Sequence, residues 1–584
     1  MRAFLICTLI VFGLVGCSPS DKMQTNSNTD SVDLILTNGE VYTFSWSEPN
    51  GNGEPSDQAP FNNSRWVPDA TTIVIDKGKI IAVGDDAIRS EYESSAKKVI
   101  DLKGNIVLPG LIDSHVHIAE LGEVLSRANL IGVKTHQEAV ERVMNYAKEN
   151  NIKEGEWIVG QGWDEGAWAD NYPTRSILDK AFPHNPVVLK SLHGFAVWAN
   201  SKALVAANIS ASTQSPVGGF IVQGENGLPS GILLNRATTL MMDAIPPASD
   251  QVFEQWVLAG LNRMANDGYV AIHQAGADSR HINAFESLHR QNKLPIKVYA
   301  MISARDSELV EEWISRGPYI DPDGWFDVRS VKAYYDGALG SRGARLLDDY
   351  ADQPGHKGVS GNQYGYNQVL VKRLMAKGFQ VGIHAIGDAG NRETLDFFAE
   401  YFAKNPEAKS NRHRIEHAQI LHPDDLPRLA ELDIIASMEP AHAVEDKKWA
   451  ETRLGPVRIA GAYAWRDLRR VNTKLILNSD LPGSDHSFFY GLHSAVTRKD
   501  KQMDPEDGWY PEQRLTAEET IFGFTRWPAF ASFRENSMGQ IKVGYAADLT
   551  VMNIDPLNMS SQQPSRLLNG KIMMTLVNGS VVNN

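Results

Sequence analysis

The sequence predicts an α/β fold, a (β/α)8 TIM-like barrel, on three observations. Apolar strand-like runs alternate with helical stretches through the middle of the chain, as in parallel βαβ units. Eight such runs can be counted, the number that closes a barrel of this type. Short alternating runs recur at both ends of the 584 residues, as a small β-sandwich built from both chain termini requires. Composition agrees with a folded enzyme: 42% of residues are hydrophobic, the net charge is −14, and no Lys/Arg block offers a basic face to nucleic acid.

Taken in order, residues 1–16 carry one early charge, Arg2, and the apolar run Ala3–Val15, which is too short to span a bilayer and reads as a secretion signal. It ends Leu14-Val15-Gly16-Cys17, small residues before a cysteine that resemble a bacterial lipobox; an ordinary signal peptide is the plainer alternative. In the lipobox reading Cys17 is lipidated and becomes the first residue. Ser18 in place of Asp then points to the outer membrane, with the chain facing the periplasm. Residues 17–31 form a polar tether. Cys7 leaves with the signal and Cys17 is capped, so no thiol remains for a disulfide or a metal.

Residues 32–105 and 536–584 supply the β-sandwich. Two hairpins are expected at its start, over 33–44 with a turn at Asn38-Gly39 and over 72–84 with a turn at Lys77-Gly78. Residues 46–68 between them are loop-like, and 539–552 and 571–582 are the C-terminal strands. The barrel occupies 106–535. Its strands are read at Val107–His117, Tyr269–His273, Ile296–Ile302, Val328–Tyr335, Phe379–His384, His413–His417, Ile434–Met438 and Lys474–Ser479. A long insertion, 120–262, follows the first strand, with strands of its own at Trp157–Gly160 and Val187–Leu192. Capping boxes are expected at Thr135–Glu138 and Thr516–Glu519.

Chemistry concentrates where these strands end. Asp113-Ser114-His115-Val116-His117 places two histidines two apart, on one face of a strand, so both imidazoles can reach one metal ion. Three further strands end in His384, His417 and Asp480. All C-terminal strand ends of a barrel meet at one mouth, where active sites sit. One such histidine alone is more simply a hydrogen-bonded core residue; four with an aspartate are hard to obtain by chance.

With these motifs in place, the chain resembles the amidohydrolase superfamily, in particular the branch of N-substituted formamide deformylase-like proteins. The resemblance spans GNIVLPGLIDSHVH, GQGWDEGAW, SVKAYYDGALGSRGA, HAIGDAGNR, RIEHAQ, ASMEPAH, NSDLP and VGYAADLTVM, in that order. It implies a metal-dependent hydrolase of C–N bonds in amides, cyclic amides or N-acyl and N-formyl compounds, acting on a small molecule with a metal-activated water. His115 and His117 go to one divalent ion, His384 and His417 to a second, zinc being the best fit. Asp480 holds the water and shuttles its proton.

The resemblance also implies a carboxylated lysine at Lys332 on the fourth strand. A lysine ammonium beside two cations is forced neutral, and a neutral amine can add CO2 to give a bridging carbamate. The alternative makes Lys332 a bystander and Asp336, on the same strand face, the ligand. Weaker candidates are His442 as an oxyanion donor, and Trp163, Asp164 and His193 as substrate contacts from the insertion. Phe195 and Glu439 stand where many relatives carry other polar residues, and Asp388 reads as a turn residue. A non-catalytic binding lipoprotein, an ester or phosphoester hydrolase, and a deaminase are the competing functions.

Overall fold

The computed structural model describes residues 31–163, 172–191, 196–216, 218–224 and 227–583. Its centre is a parallel sheet of eight strands: β1 (Leu111–Val116), β2 (Tyr269–Ala277), β3 (Lys297–Ser303), β4 (Phe326–Tyr334), β5 (Gln380–Ala385), β6 (Arg414–His417), β7 (Ile435–Met438) and β8 (Leu475–Leu477). Each strand pairs with its neighbour in sequence, from β1 to β8. Nearly every residue of these strands is buried, as a sheet covered on both faces demands.

The seam between β1 and β8 is closed largely by side chains. Ser114 Oγ donates to the Leu477 carbonyl at 2.8 Å, and Ser479 gives Asp113 two bonds, from N at 3.1 Å and from Oγ at 2.6 Å. A parallel bridge joins Val116 and Leu481. Burial of Asp113 raises its carboxyl to about 7. Helices follow the strands and cover them; Asp278, Asp306 and Asn367 cap three of these by accepting a backbone N–H of the first turn.

Several sequence expectations change here. The run 107–117 is two strands: Ile106–Pro109 pairs with Leu549–Met552 in a terminal sheet, and β1 begins after Gly110. Pro109 has no N–H to continue a ladder, and a Cβ on Gly110 would lie 2.4 Å from Val270. The boundary at 105 therefore falls inside a sheet strand's approach, and that sheet runs to Pro109. The hairpin expected over 33–44 does not form. Leu34–Thr37 enters a four-stranded sheet with 72–76, 79–84 and 99–101, while Glu40–Val41 enters a five-stranded sheet with 106–109, 549–552, 572–577 and 580–583. Leu34–Thr37 is buried at all four positions, so it is a central strand. The hairpin at Lys77-Gly78 does form, with positive φ at both turn residues (49° and 76°).

Between β1 and β2 lies a six-stranded sheet, ordered 128–129, 158–163, 187–191, 196–199, 229–235, 219–223. The helix Asp250–Asn266 packs on Ile118–Leu125, next to the barrel. Thr516 and Glu519 form a reciprocal capping box. At Thr135 the exchange is one-sided, because Glu138 accepts from Lys134 N. Among the described residues no helix is long and apolar enough to cross a membrane.

Candidate metal centre

A cavity of about 380 Å³ opens at the C-terminal ends of the barrel strands, lined by His115, His117, Lys332, His384, His417, His442 and Asp480. Two backbone features shape it. His417 (φ 74°) and Asp480 (φ 50°) adopt left-handed conformations. In a regular strand His417 would face away from its neighbour Glu416; the positive φ ends β6 and lets both serve the barrel interior. Asp480 N donates to the His115 carbonyl at 3.0 Å, which ties the aspartate to β1.

The ligand-type atoms converge in two overlapping groups, each within 4.8 Å: His115, His117 and Asp480, and His417, His442 and Asp480. Asp480 Oδ1 lies 3.2 Å from His117 Nε2 and 3.5 Å from His115 Nε2. Lys332 Nζ is 2.9 Å from His115 Nε2 and fully interior. His384 belongs to neither group, although its ring centre is 4.5 Å from that of His417. Its Nε2 is buried without a hydrogen-bond partner, 3.6 Å from Asp336 Oδ1. Asp336 itself accepts three backbone N–H groups, from Arg345, Ile386 and Gly387, so its oxygens are engaged in holding a loop. Asp388 likewise accepts from Leu347 N and Ala389 N.

Electrostatics follow from burial and crowding. Burial pushes the Lys332 amine below its ordinary value. Burial and then the Lys332 charge lower His115 to about 4. Burial opposes ionisation of Asp480, but the His117 hydrogen bond and the His115 and His417 rings outweigh it and hold the carboxyl well below the usual range. Glu439 sits between His417 Nδ1 (3.2 Å) and His442 Nδ1 (3.5 Å). Despite burial, Glu439 raises His442 to about 9 and is itself drawn down to about 2.

Of the weaker candidates, Trp163 is packed in the insertion's own apolar cluster, fully buried, its indole N–H donating to the Leu189 carbonyl at 2.8 Å. Asp164, His193, Phe195 and Cys17 lie outside the described residues. Two residues the sequence reading passed over are Arg414 and Glu416 on β6, both wholly buried beneath His115. They flank Ile415 in the four-residue strand RIEH, a charged pair two apart whose partners only the fold supplies. The donor set, imidazoles with one carboxylate beside a buried amine, fits a divalent metal ion, and the buried His384 nitrogen without a hydrogen-bond partner is a donor suited to one.

The amidohydrolase family profile matches residues 98–583. The chain is 30% identical to YtcJ of Bacillus subtilis over 522 residues, covering 87% of this chain and 95% of that protein. It is 26% identical to the N-substituted formamide deformylase of Arthrobacter pascens over 535 residues, 87% of this chain and 94% of the relative. An uncharacterized metal-dependent hydrolase from Pyrococcus furiosus superposes with a TM-score of 0.68 at 26% identity, over 90% of this chain and 99% of that one.

Proposed function

The chain belongs to the amidohydrolase family and is a metal-dependent hydrolase; from that premise we propose that it cleaves a non-peptide C–N bond in a small amide, of the N-acyl, N-formyl or cyclic type. The observation that carries this reading is the convergence of His115, His117, His417, His442 and Asp480 on one cavity around a buried lysine. His115 and His117 would hold one divalent ion with Asp480. His384 and His417 would serve a second, their ring centres 4.5 Å apart. Zinc suits nitrogen and oxygen donors without thiolate.

When bound, such ions supply a hydroxide near neutral pH and polarise a carbonyl. Asp480 takes the water's proton and returns it to the leaving nitrogen, a task for a carboxylate that stays ionised. His442, fixed and charged by Glu439, donates to the oxyanion that develops on the attacked carbonyl. Burial shifts the Lys332 amine toward its neutral form, which would add through Nζ to the carbon of CO2 with loss of one proton, giving a carbamate whose two oxygens could serve both ions. The relative named a formamide deformylase supports the amide reading. The chain is further proposed to be secreted and anchored through a lipidated Cys17, facing the periplasm.

The test is a hydrolysis panel of N-formyl amines, N-acyl amines, cyclic amides, dipeptides, matched esters and phosphoesters on the zinc-loaded protein. Release of amine from at least one non-peptide amide is expected. Turnover of esters or phosphoesters alone, or none at all by a fully metallated protein, contradicts the C–N assignment.

A further inference from the structure

His115 and His117 are equivalent in sequence but not in surroundings. His117 is partly open to the cavity, its side chain 28% exposed. His115 is sealed, and its Nδ1 meets Glu416 Oε2 at 2.7 Å. Glu416 in turn is gripped by Arg414, whose Nη2 donates to the same oxygen at 2.9 Å and whose Nε lies 2.8 Å from Oε1. Arg414 also donates to the Ser114 carbonyl at 2.7 Å, Ser437 Oγ at 3.1 Å and His273 Nδ1 at 3.1 Å. This network therefore reaches β1, β2 and β7 from two side chains of β6.

Stability alone does not account for it. An ion pair sealed inside a barrel loses its hydration, and apolar residues of similar volume usually do as well or better. What apolar residues cannot do is accept the Nδ1 proton of His115. With Nδ1–H directed to a carboxylate, the tautomer is set and the Nε2 lone pair is free to point into the cavity, toward Asp480 and Lys332.

We propose that Glu416 is a positioning residue that fixes His115 as an Nε2 metal donor, and that Arg414 holds Glu416 in that orientation. His115 is then the rigid leg of the first ion position and His117 the compliant one. The inference rests on His115 being a metal ligand, as proposed above.

The experiment is a titration of chelator-stripped full-length protein with Co2+ in bicarbonate buffer, reading affinity and the visible absorption of the bound ion. Glu416→Gln, which keeps the shape but not the charge, should weaken Co2+ binding roughly 10–100-fold and alter the spectrum. The double substitution R414M/E416M removes the ion pair without stranding a charge, so it should fold with a near-normal Tm and still lose Co2+ affinity. In a His115→Ala background, Glu416→Gln should cost nothing further, because both act through one ligand. Wild-type affinity and spectrum in either folded Glu416 variant overturn the proposal, as do fully additive losses with His115→Ala. If His115→Ala alone leaves Co2+ binding intact, the ligand assignment fails instead, and the positioning role falls with it.

Discussion

His417 and Asp480 hold left-handed backbone conformations that cost roughly 1–2 kcal/mol each for a non-glycine residue. Both stand at strand ends facing the cavity, where such strain serves placement of a side chain. Asp480→Asn tests the chemistry with little change in shape, since Asn tolerates the same backbone. Turnover should fall by roughly 10²–10⁴-fold, as for loss of a general base, with metal content largely kept. A variant with near-normal kcat removes Asp480 from proton transfer. The histidines at strand ends and Asp480 were legible in sequence because a barrel gathers strand ends at one mouth. Glu416, Arg414 and Glu439 were not, because their meaning lies in which ring nitrogen they face, and that partner comes from a strand or helix distant in sequence or is fixed only by the fold. The packing of Trp163 was not legible either, because its N–H partner, the Leu189 carbonyl, comes from another strand of the insertion.

At the scale of elements, two helices beside β1 meet through glycines. A Cβ on Gly122 would sit 1.7 Å from the Trp256 carbonyl oxygen, and one on Gly260 2.4 Å from that of Ile118. Backbone cannot yield as a side-chain tip can, so Gly122→Ala should destabilise by about 3 kcal/mol or more, read as a loss of Tm. An unchanged Tm would mean the helices are not in this contact. The helix Ala517–Gly523 carries a pH-dependent element. Glu518 accepts from Trp46 Nε1 at 2.7 Å, its other oxygen is buried without a partner, and burial raises its carboxyl to about 7 from the ordinary 4.5. The folded state therefore keeps the proton that the unfolded state gives up between pH 4.5 and 7. Stability should fall across that window and stay low above it. Glu518→Gln should flatten this part of the Tm profile and gain on the order of 2 kcal/mol at pH 8 relative to wild type. An identical profile in the variant would assign the pH dependence elsewhere. Alternation served the Lys77-Gly78 hairpin well, since two residues of positive φ fit its turn. It failed at Asn38-Gly39, where the same turn signal marks a crossing between two sheets, a choice made by burial on both faces and not by local sequence.

For the whole molecule, the barrel was legible because eight apolar runs separated by helical stretches admit few other closures, whereas the partition of the termini between two sheets depends on pairings hundreds of residues apart, such as Leu108 with Thr550. The proposed anchor is checked by Cys17→Ser, which should move the protein from the membrane to the soluble periplasmic fraction; retention in the membrane rules out lipid attachment at that residue. Metal, lysine and hydrolysis come together at Lys332, a buried amine 2.9 Å from the first histidine of the site. The most direct test is metal content per chain for wild type and Lys332→Ala, purified in bicarbonate, alongside hydrolysis of the best amide in the panel. Wild type should hold about two divalent ions, and the variant should lose both metal and turnover, with partial return on adding excess acetate or propionate. A Lys332→Ala protein that keeps its full complement of metal and the wild-type rate without added carboxylate would contradict the account.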